Sequence, residues 1–346
     1  MSSSSSAKIR KIQRHRMRRE IFTALGFAVL AAIAYCALLG QGPLKLTPLE
    51  VIDVLTGGGD RREITVVWEL RLPVALATLI VGAALGAAGS WTQIMARNPL
   101  ASPDILGVSG GAAAFVVFGT VLARPEIAED LTKFWYRAAL ALVGATFAII
   151  LLVVLAGFGV SQRVVLVGLA LSLMSSALIY YVMARANMHR AAEAQTWLSG
   201  STAFVRMDAI LPMLLGLVPF LFIGIFAHRR ITLLSHDDES ATTLGVNVKR
   251  TRAEVLCAAT GVVAVVVSVV GPIGFIALMA PQVSRIVSGS PVPSPMSGAA
   301  AGAALLTVCA NIAALLPMSA PVGLVTAIVG GPVLVWLVWR SVREAK

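Results

Sequence analysis

The sequence predicts an all-α polytopic membrane protein of about ten spans. Three observations carry this: the composition, the spacing of uncharged runs, and the placement of basic residues. Hydrophobic residues make up 58% of the 346 and charged residues 13%, with a mean hydropathy of +0.86. Soluble domains carry about half their residues as apolar and about a quarter as charged, so a soluble core is excluded. Uncharged stretches recur at Ile21 to Leu44, Leu72 to Ala96, Ile105 to Ala123, Ala138 to Gln162, Val164 to Ala184, Ala209 to Ala227, Val255 to Ser284 and Ile286 to Trp339. A spanning helix needs roughly 20 apolar residues, so the first six hold one helix each. Gly271-Pro272 breaks the seventh stretch. The Pro291-Val292-Pro293 turn and the segment from Pro317 to Pro321 break the eighth, with one helix straddling Arg285.

An even number of spans places both termini on one side. With the N-terminus inside, the inner segments hold 18 of the 28 basic residues but only 7 of the 17 acidic ones, so the net charge of +11 is all cytoplasmic. This is the positive-inside asymmetry. It accounts for the basic 1–20 tail through topology and anionic headgroups, without nucleic acid. Cys36, Cys257 and Cys309 all fall inside apolar runs, where cysteine packs as a small hydrophobe, and their spacing fits neither a metal site nor a disulfide framework. Ile21 to Gly40 is long enough to span and lacks a cleavage site, so it reads as a membrane helix rather than a removed leader. The Ser2 to Ser6 run reads as disordered.

The most distinctive feature is the polar interruption from His228 to Arg252. Ser235 reads as a helix N-cap with Asp238 as its capping-box partner, and Asp237, Asp238 and Glu239 place negative charge where the helix dipole favours it. Gly245 reads as the left-handed residue that ends this helix, and Val246 to Arg252 as a second short segment. Two small charged helices on one membrane face form a docking surface; a solvated helical loop is the plainer reading.

Gly82-x-x-x-Gly86 and Gly298-x-x-x-Gly302 provide small faces for close helix approach. No Asp, Glu or His interrupts the apolar runs, which counts against an ion-coupled secondary transporter, since such carriers place ionisable relays at mid-depth. A passive channel would need a self-contained filter that is not evident. No G-x-x-x-x-G-K phosphate loop occurs. Val108-Ser109-Gly110-Gly111 looks superficially like a nucleotide-cassette signature, but it opens an apolar span and reads as packing residues. If transport is driven, the energy comes from another subunit.

Four ordered segments resemble the FecCD-type permeases, the transmembrane subunits of bacterial ATP-driven importers for iron-siderophores and cobalamin. They are Arg71-Leu-Pro with Gly82-Ala-Ala-Leu-Gly-Ala-Ala-Gly89 and Arg97-Asn-Pro-Leu-Ala-Ser-Pro-Asp-Ile-Leu-Gly-Val-Ser109; Trp197-Leu-Ser-Gly-Ser201; the polar loop ending in Leu244-Gly-Val-Asn-Val248; and Gly271-Pro-Ile-Gly-Phe-Ile-Ala-Leu-Met-Ala-Pro281 followed by Arg285. Pro321-Val-Gly-Leu-Val-Thr-Ala with Gly330-Gly-Pro332 closes the match. The details are most similar to the second permease of ferric-enterobactin-type importers.

The resemblance implies the type II ABC importer permease fold: a single transmembrane domain over 21–346, with cytoplasmic coupling helices at about 235–252. It also implies a homologous second permease forming a heterodimer, two ATP-binding cassette subunits that hold the ATP and Mg, and an extracytoplasmic substrate-binding protein. This chain would bind no cofactor and catalyse nothing, and would sit multi-pass in the plasma membrane with both termini cytoplasmic. The expected cargo is a ferric siderophore, with cobalamin or haem as the alternatives. Ser235, Asp237, Asp238, Glu239, Leu244, Gly245 and Val246 are then the ATPase-coupling residues, and Arg71 the receptor-docking residue.

Three positions depart from the family pattern. Val74 stands where family members often carry a second Arg, Leu315 where the cobalamin permeases carry a further outward Arg, and Gln282 where a His is usual. Gln93, Ser172, Ser175, Ser176 and Asn311 are polar positions on apolar helices and candidate pathway lining. For the serines, a bond to a backbone carbonyl of the bundle is the alternative.

Overall fold

The computed structural model describes residues 3–121, 132–157, 162–235, 237–316 and 320–344. Among these it contains helices and no strand. They are α1 (Ser3–Gly40), α2 (Pro48–Leu55), α3 (Arg61–Ile64), a π-helical segment (Thr65–Arg71), α4 (Leu72–Ala96), a 3₁₀ turn (Pro103–Leu106), α5 (Val108–Val121), α6 (Lys133–Ala156), α7 (Gln162–Arg185) and α8 (Met188–Leu198), then α9 (Met207–Leu234), α10 (Asp238–Thr243), α11 (Val248–Val270), α12 (Ile276–Ser288), α13 (Pro295–Leu315) and α14 (Val322–Glu344).

The first six runs fall on α1, α4, α5, α6, α7 and α9, one each, and the last two, which are broken, hold α11, α12, α13 and α14. Seven, including the 36-residue Arg61–Ala96 unit, are long and apolar enough to cross a membrane, while α5 and the apolar part of α14 are shorter. Helix α12 has 13 residues and straddles Arg285 as expected. Gly271, at φ +74, turns the chain out of α11, and Gly289, at φ +65, ends α12. Part of the expected break from Pro317 to Pro321 lies outside the described residues.

Two expectations are corrected. The serines from Ser3 to Ser6 belong to α1. Serine is only a middling helix former, but once nucleated a helix adds one hydrogen bond for each residue fixed, and the run is continuous with a long helix. Val246 to Arg252 is not a second short helix, because Val248 starts α11 and the helix runs unbroken to Val270.

The bundle is organised around α4, which packs on α13, α12, α11 and α9. The two small-residue motifs face each other across the α4–α13 contact. A Cβ added at Gly82 would collide with the Gly302 carbonyl, one at Gly86 with the Gly298 carbonyl, and one at Gly302 with the Gly82 carbonyl. Gly89 meets the Ala277 carbonyl of α12 in the same way. Lipid tails are as apolar as the helix faces, so backbone-to-backbone contact of this kind is what holds membrane helices together. By contrast, α7 exposes Leu166, Leu173, Met174, Tyr180 and Tyr181. A membrane helix so open on one side faces lipid or another chain.

One end of the bundle gathers the segments expected to be cytoplasmic. There Ser290, just after α12, donates to Glu20 of α1 at 2.6 Å, and Arg97, after α4, reaches the end of α9. At the other end Arg71 reaches the end of α1, and Gly323 N–H donates to the Gly200 carbonyl.

Candidate coupling site

The polar connection between α9 and α11 folds by local rules. Asp237 is the N-cap of α10, its carboxylate accepting from Ser240 N–H at 2.6 Å. That bond holds the Asp237 carboxyl below its ordinary range. At the far end Gly245 takes φ +83. Its N–H bonds to the Thr242 carbonyl, and Val246 N–H reaches back to the Ala241 carbonyl at 3.0 Å, the paired bonds of a Schellman terminus. The apolar contact that accompanies this motif is present: Ala241 and Val246 pack with Leu234, against Val248. Asn247 then caps α11 by accepting from Arg250 N–H at 3.0 Å.

Ser235 is not the N-cap expected of it. It ends α9 with helical φ and ψ, its hydroxyl donating to the Thr232 carbonyl. The cap falls two residues later because Asp237, at φ −156, is the extended residue whose side chain reaches the third residue on. Glu239 lies exposed in the first turn, and Leu244 is 66% exposed at the tip.

The charges around α10 are paired across four elements. Arg97 donates through Nε to the Leu234 carbonyl at 2.8 Å and through Nη2 to the same oxygen at 2.6 Å. Its Nη2 also reaches Asp238 Oδ1 at 2.6 Å. From α11, Arg252 Nη2 meets the same carboxylate at 3.0 Å. A second set joins α9 to α11, with Glu254 between Arg230 at 2.7 Å and Arg250 at 2.9 Å. Reading the loop alone missed Arg97, which lies 141 residues from Asp238 in sequence; its signal was the Arg-Asn-Pro-Leu-Ala motif, quoted above without a role.

The remaining named residues are not brought together. Arg71 is half-buried and donates through Nη1 to the Leu39 carbonyl at 2.7 Å and through Nη2 to the Leu44 carbonyl, so two of its five donors hold backbone at and just after the end of α1. Gln93 is buried in the bundle, its amide donating to the Leu278 carbonyl at 2.9 Å and its carbonyl accepting from Gln282. Gln282 thus ties α12 to α4. Asn311 ties α13 to α1 through the Ala34 carbonyl at 2.8 Å. Ser172 and Ser175 lie on α7 against Gly110 of α5. Ser176 is exposed on α7, its hydroxyl donating to the Ser172 carbonyl at 2.9 Å, the backbone bond set as the alternative reading for serine. Val74 and Leu315 line one cleft of about 730 Å³ at the Arg71 end, together with Gln41, Lys45 and Pro48.

Similarity to known proteins extends along most of the chain. The Fe(3+) dicitrate transport system permease protein FecD of Escherichia coli is 36% identical over 92% of this chain and 98% of its own length. The ferric enterobactin transport system permease protein FepG of the same species is 32% identical over 94% and 98%. A solved inward-facing metal-chelate type ABC transporter superposes with a TM-score of 0.78 at 26% identity, covering 92% of this chain and 98% of that one. Residues 29–340 match the model of one family, and the chain belongs to it: the FecCD transport family.

Proposed function

We propose that this chain is the non-catalytic permease subunit of an ATP-driven importer that carries a ferric siderophore across the bacterial plasma membrane. The observation that carries the reading is α10, a six-residue helix capped at both ends and held out between two membrane-length helices. A helix this short does not persist on its own, and Leu244 stands largely exposed at its tip. An apolar tip on a rigid, charged base suits a groove in a cytoplasmic ATPase. Ser235, Asp237, Asp238, Glu239, Gly245 and Val246 shape and hold that base. The N-terminal basic residues share this end, which supports cytoplasmic termini.

ATP and Mg then belong to two cassette subunits, whose closure on ATP moves α10 and tilts the spans. The exposed apolar faces of α7 and its neighbours suit a second permease, with the pathway between the two chains. At the opposite end, a substrate-binding protein would dock on exposed cations. Lys45, Arg61 and Arg62 are exposed there, whereas Arg71 is committed to backbone carbonyls. The siderophore assignment draws support from the ferric dicitrate and ferric enterobactin permeases among the relatives.

The test is uptake by the complex, reconstituted in vesicles with its partner subunits and binding protein and supplied with a radiolabelled ferric siderophore. Uptake is expected to need internal ATP and to survive a protonophore. Leu244→Asp is expected to abolish it without loss of membrane insertion, because the side chain it replaces is largely exposed. Uptake that collapses with the proton gradient while ATP stays high would sink the ATP-driven reading, and normal uptake by Leu244→Asp would remove α10 from the coupling role.

A further inference from the structure

We propose that Asp238 is the positioning residue through which movement of α10 passes into the membrane bundle, with Arg97 and Arg252 as its two grips. The proposal rests on the reading of α10 as the ATPase-coupling element and adds how that element is geared to the spans. Asp238 is the first residue of α10, but Asp237 does the capping, so the Asp238 carboxylate is not needed to close the helix. It is spent instead on two guanidinium groups from two other helical units: Arg97, immediately after α4, at 2.6 Å, and Arg252, in the second turn of α11, at 3.0 Å.

Arg97 is placed for this by an uncommon backbone. It is one of two non-glycine residues with positive φ among the described residues, at φ 50 and ψ 32. Side chains rarely adopt this conformation outside glycine, asparagine and aspartate. That turn ends α4 and lets the guanidinium fork reach both the Leu234 carbonyl in the last turn of α9 and Asp238. The planar fork suits two acceptors at fixed angles, which a lysine ammonium does not reproduce. One side chain therefore closes a corner between α4, α9 and α10.

What α4 carries onward makes this corner mechanical. Gln93 lies four residues before Arg97, its backbone carbonyl accepts from Asn98 N–H, and its side chain is bonded to the Leu278 carbonyl and Gln282 of α12. On the other grip, Arg252 belongs to α11, which runs unbroken to Val270 and the Gly271 turn that leads into α12. A shift of α10 thus reaches α12 by two routes, through α4 and through α11. The pairs are partly open, with side-chain exposures of 36% for Arg97, 42% for Asp238 and 24% for Arg252. Exposed ion pairs contribute little to stability, which suits a contact that is made and remade in each cycle.

The experiment is a double-mutant cycle on the reconstituted complex, with substrate moved per ATP hydrolysed as the readout. Arg97→Gln and Asp238→Asn are each expected to lower that ratio by roughly tenfold, a typical coupling between linked sites. The double variant should be no worse than the worse single one, because both remove the same link. Asp238→Glu, which keeps the carboxylate, is expected to recover most of the ratio. Cross-linking of Leu244→Cys to the cassette subunit, run in every variant, separates the two levels of the argument. Cross-linking retained with an unchanged ratio, or with losses that multiply in the double variant, overturns the gearing role alone. No cross-link in the otherwise unaltered complex overturns the coupling reading and the gearing with it.

Discussion

Arg71 provides a sharp contrast between a docking and a structural role. Its guanidinium donates to the Leu39 carbonyl at 2.7 Å and to the Leu44 carbonyl, and Nη2 lies against Gly42, a glycine at φ +136. Leu39 is in the last turn of α1, whose final carbonyls have no partner within the helix. Hydrogen bonds to charged groups contribute about 1.5–3 kcal/mol each. With the side chain half-buried, the lower end of that range applies, so Arg71→Ala is expected to cost about 3 kcal/mol in all. The loss falls on the connection between α1 and α2. It should appear as a clearly lower unfolding midpoint in detergent and as faster proteolysis between residues 40 and 47.

Arg71→Lys decides the matter. A point charge on a flexible stem would serve a receptor carboxylate nearly as well, but it cannot hold two carbonyls with a planar fork. Stability should therefore fall in Arg71→Lys almost as far as in Arg71→Ala. Receptor affinity should change only as far as the loop is disordered, at low and high salt alike. An Arg71→Ala protein with an unchanged midpoint and a tenfold or greater loss of receptor affinity at low salt would refute this and restore Arg71 to the docking surface.

Gly302→Val sets a branched side chain against the Gly82 carbonyl; overpacking of this kind costs about 1–3 kcal/mol, and the yield of folded protein should drop while Gly331→Ala, in open space, leaves it unchanged. Gly245→Ala meets no neighbour but forces φ +83 on a residue with a Cβ, a cost of about 1–2 kcal/mol confined to α10, so uptake should fall more than the unfolding midpoint. Asp104 accepts from Ser102 and Ser109, and burial, against those two bonds, pushes its carboxyl up to about 6. A raised folded-state pKa gives stability that is complete below the unfolded value and lost as pH rises through about 6. Between pH 4 and pH 7 the unfolding midpoint should therefore decline more in the unaltered protein than in Asp104→Asn, and parallel declines would exclude Asp104 as the cause.

The fold was legible because its signals are local or repetitive. Apolar runs of membrane length need no knowledge of partners, and Gly271 and Gly245 announce turns at positive φ that glycine makes most readily. The facing of Gly82 and Gly86 with Gly302 and Gly298 was half legible: the spacing marked both faces as adhesive but not as each other's partner. Ser235 failed for a simpler reason. Serine and aspartate are comparable caps, and the sequence Ser-His-Asp-Asp offers three candidates within four residues, so the choice falls to where α9 stops.

Gln93 and Asn311 were ambiguous in sequence because a glutamine or asparagine on an apolar helix has two uses with the same signature. In lipid a side-chain amide lowers its cost by finding a partner, whether water in a channel or a carbonyl on the next helix. Gln93 and Asn311 found carbonyls at Leu278 and Ala34. The same ambiguity hid the corner at Asp238. Three acidic residues in a first turn are explained by the helix dipole alone, and nothing within the loop says that one of them is held by an arginine at the end of a helix more than a hundred residues earlier. What distinguishes the three is their company in space: Asp237 bonds to its own helix, Glu239 lies in solvent, and Asp238 is gripped from α4 and α11. If α10 moves against α4 and α11, a carboxylate shared among them is where force passes, so of the seven residues assigned to coupling, Asp238 is the one whose chemistry, rather than its shape, should decide how much substrate moves per ATP.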